Sequence, residues 1–225
     1  MTLSIDLNAD LGEGMGTDED LLGIVSSASI ACGGHAGDAA TIRHILKLCK
    51  ARGVRAGAHP GYVDKARFGR FRLVMPLEQL LRQIRDQMFL IRHIADEVDV
   101  PLAYVKLHGA LANQTAEELA FAVGIFAAIQ AMDPKMAVLA LDNSEQVRAA
   151  KAVGSPLIRE AYADRVDAIL RQHIANFDTA VIKRVSYSPA DLEGMNINLV
   201  GGDPYGGYCG IDQFFIWRPL KTSSN

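Results

Sequence analysis

One repeated order constrains the fold of this sequence more than anything else in it. A short apolar run is followed by a compact polar or glycine-rich cluster, and then by an amphipathic stretch with helical spacing. Six strand-like runs occur, at residues 3–8, 28–32, 54–58, 102–106, 136–141 and 156–160. The helices between them carry legible start and stop signals. Asp38 can cap a helix whose Ile42, Ile45, Leu46 and Cys49 share one face, and Gly53 ends it. Pro76 opens a long helix carrying Leu80, Leu81, Ile84, Met88 and Ile91. Thr115 and Glu118 have the spacing of a capping box ahead of an apolar helix, and Ser144 reads as a further N-cap. Such alternation predicts a parallel sheet, either a closed β/α barrel or an open doubly wound fold.

The clusters choose between those two. Each run ends in one, at residues 8–14, 33–38, 59–61, 106–109, 142–145 and 162–165. In a barrel all of them converge on one rim, whereas an open sheet gathers its ligand groups at a single switch point. The expected fold is therefore a barrel. Its 225 residues, 49% hydrophobic and 22% charged, are ample for a buried core and exclude wholesale disorder. A formal net charge of -3 argues against a nucleic-acid partner held by bulk phosphate attraction. Cys32, Cys49 and Cys209 have no metal-type spacing, and an odd count is a poor disulfide framework; reduced thiols in a cytoplasm are the simplest reading. The chain opens without a basic, apolar leader, and its most apolar window, 121–132, is far short of the ~20 residues that span a bilayer. A cytoplasmic protein without membrane contact is expected.

Past about residue 165 the character changes. Residues 166–177 still read as a helix, but 179–187, 196–200 and 213–217 read as strands, with a stretch dense in Gly, Pro and aromatics at 201–210. The end, 222–225, is polar.

The candidate chemistry lies in the clusters. Asp6, Asn8 and Asp10 alternate along the first strand and so project to one face, where crowded carboxylates suit acid–base work or cation binding. Glu13 follows them, while Asp18, Glu19 and Asp20 read as the first turn of a helix. His35, His59 and His108 each stand just beyond a strand. Neutral imidazole there suits proton transfer or a divalent metal, with Asp10 or Asp38 to orient it; no HExxH or paired-Cys pattern selects the metal, which stays open. Lys106, two residues before His108, can pair with an anionic substrate or a developing oxyanion. His44, His93 and His173 fall within helices and read as ordinary surface or packing residues. Cys32 reads as a small buried residue closing a strand. Two nucleotide-type patterns fail: residues 12–17 lack the last glycine of a dinucleotide loop, and 201–210 have no Lys-Ser/Thr after them.

Taken together, the stretches IDLNADLGEG (5–14), IACGGHAGD (30–38), GAHPGY (57–62), FGR (68–70), VKLHGAL (105–111) and EAYADR (160–165) resemble the LamB/YcsF family in order and spacing, over residues 1 to about 165. The resemblance implies a distorted β/α barrel of the glycoside hydrolase/deacetylase type. It also implies ATP-dependent opening of the lactam 5-oxoproline to L-glutamate, with Mg accompanying the ATP and 5-oxoprolinase subunits B and C as companions. On that reading Asp10, Glu13, His35 and His59 activate water or shuttle protons, and Lys106 and His108 stabilise the charged oxygen or phosphate. Asp6, Asn8, Asp38 and Arg70 are the candidates for holding substrate. The alternative is a barrel that binds a ligand, or an inactive chimera, without turnover.

Two departures stand out. Leu107 and Ala112 replace the proline and tyrosine usual in the family, and after Asp164-Arg165 the family's remaining strands and C-terminal histidine motif are missing. Instead, SPADLE (188–193), NLVGGD (198–203) and QFFIWRP (213–219) resemble part of the phytoene-dehydrogenase-like FAD oxidoreductases, without either flavin-binding motif, so no FAD is expected. The expected organisation is a C-terminally incomplete barrel at 1–165 and an unrelated oxidoreductase-like fragment at 166–225, joined from two reading frames. A barrel open after six strands would expose an edge.

Overall fold

The computed structural model describes residues 5–162 and 214–217. Strands β1 (Ile5–Leu11), β2 (Ser27–Ala31), β3 (Arg55–His59), β4 (Leu102–Val105), β5 (Ala137–Leu141) and β6 (Leu157–Tyr162) pair in chain order and in parallel. All six expected strands are present, with ends displaced by at most three residues. The barrel is not open after them. A seventh strand, β7 (Phe214–Trp217), lies antiparallel between β6 and β1 and closes the ring, so both edges are paired. Of the segments expected beyond residue 165, only this strand falls among the described residues; the helix at 166–177, the strands at 179–187 and 196–200, the stretch 201–210, His173 and Cys209 lie outside them.

Helices α1 (Asp18–Leu21), α2 (Ala39–Arg52), α3 (Leu77–Glu97), α4 (Gly109–Glu117), α5 (Leu119–Met132) and α6 (Glu145–Ala152) occupy the connections. Asp38 caps α2 by accepting the Thr41 N–H at 2.8 Å, and Gly53 ends it in the left-handed region. Ile42, Ile45, Leu46 and Cys49 are buried. Ser144 caps α6. The capping box at Thr115 is not formed. Thr115 sits inside α4, and its hydroxyl donates back to the carbonyls of Leu111 and Ala112 while accepting from Gln146, which leaves nothing for the start of α5. No single helix among the described residues is long and apolar enough to cross a membrane.

The interior of the barrel explains how β1 is placed. Asn8 is buried and fully used: its amide donates to Ser27 at 2.8 Å and to the Tyr104 hydroxyl at 2.6 Å, and its carbonyl accepts from Ser29 at 2.8 Å. Tyr104 fits because residue 57 is glycine. A Cβ there would collide with the Tyr104 ring, at the point where the β3–β4 register shifts. This polar layer is the floor on which the rim residues stand.

Candidate functional site

The ends of β1 and β3, and the residues just beyond β1, β2 and β4, bring Asp10, Glu13, His35, His59, Lys106 and His108 together at one rim. Lys106 donates to both oxygens of Asp10, at 2.9 and 3.1 Å. His59 Nε2 lies 3.3 Å from Asp10 Oδ2 and 3.0 Å from His108 Nδ1. Glu13 Oε1 is 3.0 Å from His35 Nε2, 3.4 Å from His108 Nδ1 and 3.8 Å from His59 Nε2. His35 stacks on His108, with ring centroids 3.5 Å apart and planes 4° from parallel. Each of these three histidines is at most 7% exposed.

Loops hold these rings from outside. His59 Nδ1–H donates to the Lys106 carbonyl at 2.8 Å and His108 Nε2–H to the Phe68 carbonyl at 2.9 Å. The loop that carries Phe68 is pressed onto the rings: Gly69 has φ +62°, and a Cβ there would stand 2.8 Å from His35 Cβ. Gln87 on α3 clamps the loop after β3 through both the N–H and the carbonyl of Gly61.

The charges divide unevenly. Burial alone would raise the Asp10 carboxyl, but His59 and Lys106 overcome it and hold Asp10 well below the ordinary carboxylate range. Burial would likewise lower His59, yet the Asp10 carboxylate raises it. For His35 and His108, burial and then the neighbouring imidazoles outweigh the raising effect of the nearby carboxylates and push the rings down to about 2 and about 3. Burial followed by the Asp10 charge raises Glu13. The rim thus holds one histidine favoured as imidazolium and two kept neutral, a division suited to giving and taking protons. Glu13, His35, His59 and His108 also present donor atoms all within 4.8 Å of one another, the spacing at which a transition metal can be held.

Three expected substrate residues are not at this rim. Alternate residues on a strand do share a face, but each step of two climbs about 6.7 Å, so only Asp10 reaches the top. Asn8 belongs to the buried layer below. Asp6 lies at the opposite end of the barrel, bonded to Arg55 and Ser26. Asp38 is spent on its helix cap and is exposed. Arg70 does stand beside the site, with its guanidinium 5.3 Å from the Phe68 ring centroid. Cys32 is buried, accepts the His59 N–H at 3.2 Å, and has its thiol pushed up to about 12 by burial. His44 and His93 are exposed and paired with Glu19 and Glu97.

One residue at the site escapes the sequence reading. Glu160, at 2% exposure near the end of β6, has Oε1 3.1 Å from Lys106 Nζ. Burial raises its carboxyl to about 7, against the lowering effect of Lys106. With Lys106, Asn113, Leu139 and Gln146 it lines a small recess. Its signal is positional: it closes a strand as Asp10 and His59 do.

These rim residues fall within a stretch with known relatives. The LamB/YcsF family model matches residues 5–170. The chain is 43% identical over 163 residues to the A subunit of 5-oxoprolinase from Erwinia tasmaniensis and 42% identical over 161 residues to that of Neisseria meningitidis serogroup C, matches that cover 72% of this chain. It spans 66% of the length of these relatives. A crystal structure of the lactam utilization protein from Thermus thermophilus matches with a TM-score of 0.67 at 32% identity, covering 70% of this chain and 66% of that one. Asp10, Glu13, His35, His59, Lys106, His108 and Glu160 all lie inside the matched residues, and on that match the chain belongs to the LamB/YcsF family.

Proposed function

We propose that this chain is the lactam-opening component of an ATP-dependent 5-oxoprolinase, working with subunits B and C to convert 5-oxoproline to L-glutamate. The observation that carries the reading is the convergence, at one rim, of a buried lysine held on Asp10 with Glu13 and three buried histidines. The names of the relatives point to the same substrate class.

A lactam carbonyl is a poor electrophile. Transfer of the ATP γ-phosphoryl group to the lactam oxygen, releasing ADP, turns that oxygen into a leaving group. Water then adds to the carbon, the C–N bond breaks, and the ring nitrogen takes a proton and departs as the α-amine. The acyl phosphate left behind is hydrolysed by a second water to glutamate and phosphate. In this scheme His35 and Glu13 accept the proton of the attacking water, and His59, charged beside Asp10, returns one to the leaving nitrogen. Lys106 and His108 stabilise the oxygen on which negative charge collects.

The test is glutamate release from 5-oxoproline and ATP with subunits B and C supplied. Asp10→Ala and His59→Ala are each expected to cut turnover at least ~100-fold. Unchanged turnover in both would remove the rim from the reaction. Saturable 5-oxoproline binding with no release would favour a barrel that holds its ligand without turning it over.

A further inference from the structure

We propose that Glu13, His59 and His108 form a three-ligand site for a divalent transition metal of the zinc class, with His35 as a supporting hydrogen-bond donor and not a ligand. The metal-bound rim is an alternative to the rim with a charged His59, because His59 Nε2 can hold a proton or an ion but not both.

It begins with hydrogens. A backbone carbonyl can only accept, so His59 Nδ1, 2.8 Å from the Lys106 carbonyl, and His108 Nε2, 2.9 Å from the Phe68 carbonyl, both carry their protons on those atoms. In the neutral rings the remaining nitrogens, His59 Nε2 and His108 Nδ1, are bare lone pairs, and they face each other across 3.0 Å. What lies between them is either a proton on His59 Nε2, as in the imidazolium beside Asp10, or a metal cation. Carbonyl-anchored imidazoles whose free nitrogens converge are also the usual outer support of a metal site.

Glu13 Oε1 supplies the third corner, 3.4 Å from His108 Nδ1 and 3.8 Å from His59 Nε2. The point equidistant from these three atoms lies about 2.0 Å from each, the length of Zn–N and Zn–O bonds. A three-ligand set leaves a fourth position open for water or a substrate oxygen. Asp10 is not part of the set: Lys106 donates to both of its oxygens, and the donor atoms that lie within 4.8 Å of one another are those of Glu13 and the three histidines.

His35 is excluded by its stacking. An imidazole binds a metal in its own ring plane, and the His35 and His108 planes are parallel at 3.5 Å. An ion in the plane of His108 therefore stands roughly 3.5 Å out of the plane of His35, well beyond a ~2.0 Å bond. His35 Nε2 instead reaches Glu13 Oε1 at 3.0 Å, where an N–H can orient the carboxylate.

The experiment is calorimetric titration of Zn²⁺ into the full chain after chelator dialysis, repeated with Co²⁺ for its visible spectrum. His44, His93 and His173 are replaced by alanine in the parent so that no other histidine contributes. One site per chain is expected, with the intense d–d bands of four-coordinate Co²⁺. His59→Gln and His108→Gln should each weaken binding by at least ~100-fold, and His35→Ala by ~10–100-fold, the range for an outer-shell loss. A weaker effect in His35→Ala than in His108→Gln supports the three-ligand set, and an equal one overturns it. Absence of saturable binding to the parent at millimolar Zn²⁺ overturns the site itself, without reference to any variant that fails to fold. Metal binding is read without substrate and glutamate release without the calorimeter, so either reading can fail alone.

Discussion

Lys106 Nζ lies 2.9 Å from Asp10 Oδ1, although the two residues are 96 positions apart in the chain. β1 delivers Asp10 to the rim and β4 ends just before Lys106, so closing the sheet is what brings them together. The same ammonium stands 3.1 Å from Glu160 Oε1. One buried cation is thus shared by two buried acids, and they do not share it equally. Asp10 takes two contacts and stays ionised, while Glu160 takes one and is left with its carboxyl raised to about 7. Removing any of the three should disturb the other two.

Lys106→Met is the sharpest test of that arrangement. It leaves Asp10 without its cation in a buried setting, and losing one partner of a buried pair costs about 3–5 kcal/mol. Urea unfolding should show a loss in that range. Adding Glu160→Gln should cost less than the sum of the two single changes, by ~1 kcal/mol or more, because the neutral amide has no need of the missing ammonium. Strict additivity would mean that the two residues do not interact.

Glu160 also sets a pH dependence. Its carboxyl rises from an ordinary 4.5 to about 7 in the fold, so between those values the native state binds more protons than the unfolded chain. Stability from this group is complete below about pH 4.5 and is lost as pH climbs through about 7. Glu160→Gln cannot titrate. The difference in unfolding free energy between wild type and variant should therefore move in the variant's favour from pH 5 to pH 7.5, measured by denaturant melts at fixed salt. A difference that stays flat would place the Glu160 carboxyl at its ordinary value.

Asp6 offers a contrast with Asp10 on the same strand. Bonded to Arg55 and Ser26, it stands at the far end of the barrel from the rim. Asp6→Asn should cost ~1 kcal/mol, as expected for one partly exposed charged hydrogen-bond pair, with kcat/KM for 5-oxoproline within about threefold of wild type. Asp10→Asn should lose at least ~100-fold in kcat. Equal losses in the two variants would bring the whole strand face back into the site.

Much of this was legible in the sequence because each signal was local. Alternation of apolar runs with capped helices gives the barrel, and a polar cluster after each run gives the rim with Asp10, Glu13, His35, His59, Lys106 and His108. What the sequence could not give was depth. Period-two alternation says that Asp6, Asn8 and Asp10 share a face, but not that they occupy the bottom, middle and top of it. Tertiary choices were equally hidden. Thr115 has the right spacing for a cap, yet Gln146 from α6 draws its hydroxyl inward. Glu160 reads as any strand-end acid until Lys106 arrives beside it from 54 residues earlier. The stacking of His35 on His108 depends on loops that meet only in the folded chain.

Closure of the ring by β7 carries the last prediction. Ile216 stands opposite Asp6 on β1 and Glu160 on β6, in antiparallel ladders on both sides. A proline there removes a ladder donor and fixes φ near −65°, away from the extended backbone of a strand between two partners. Ile216→Pro should release β7 and leave the facing edges of β1 and β6 unpaired, a template for pairing between chains. Size-exclusion chromatography with light scattering should then show concentration-dependent self-association absent from wild type, and the unfolding transition should broaden. Ile216→Val keeps the backbone donor and should behave as wild type. A monomeric, cooperatively melting Ile216→Pro would mean that six parallel strands hold the barrel without the seventh.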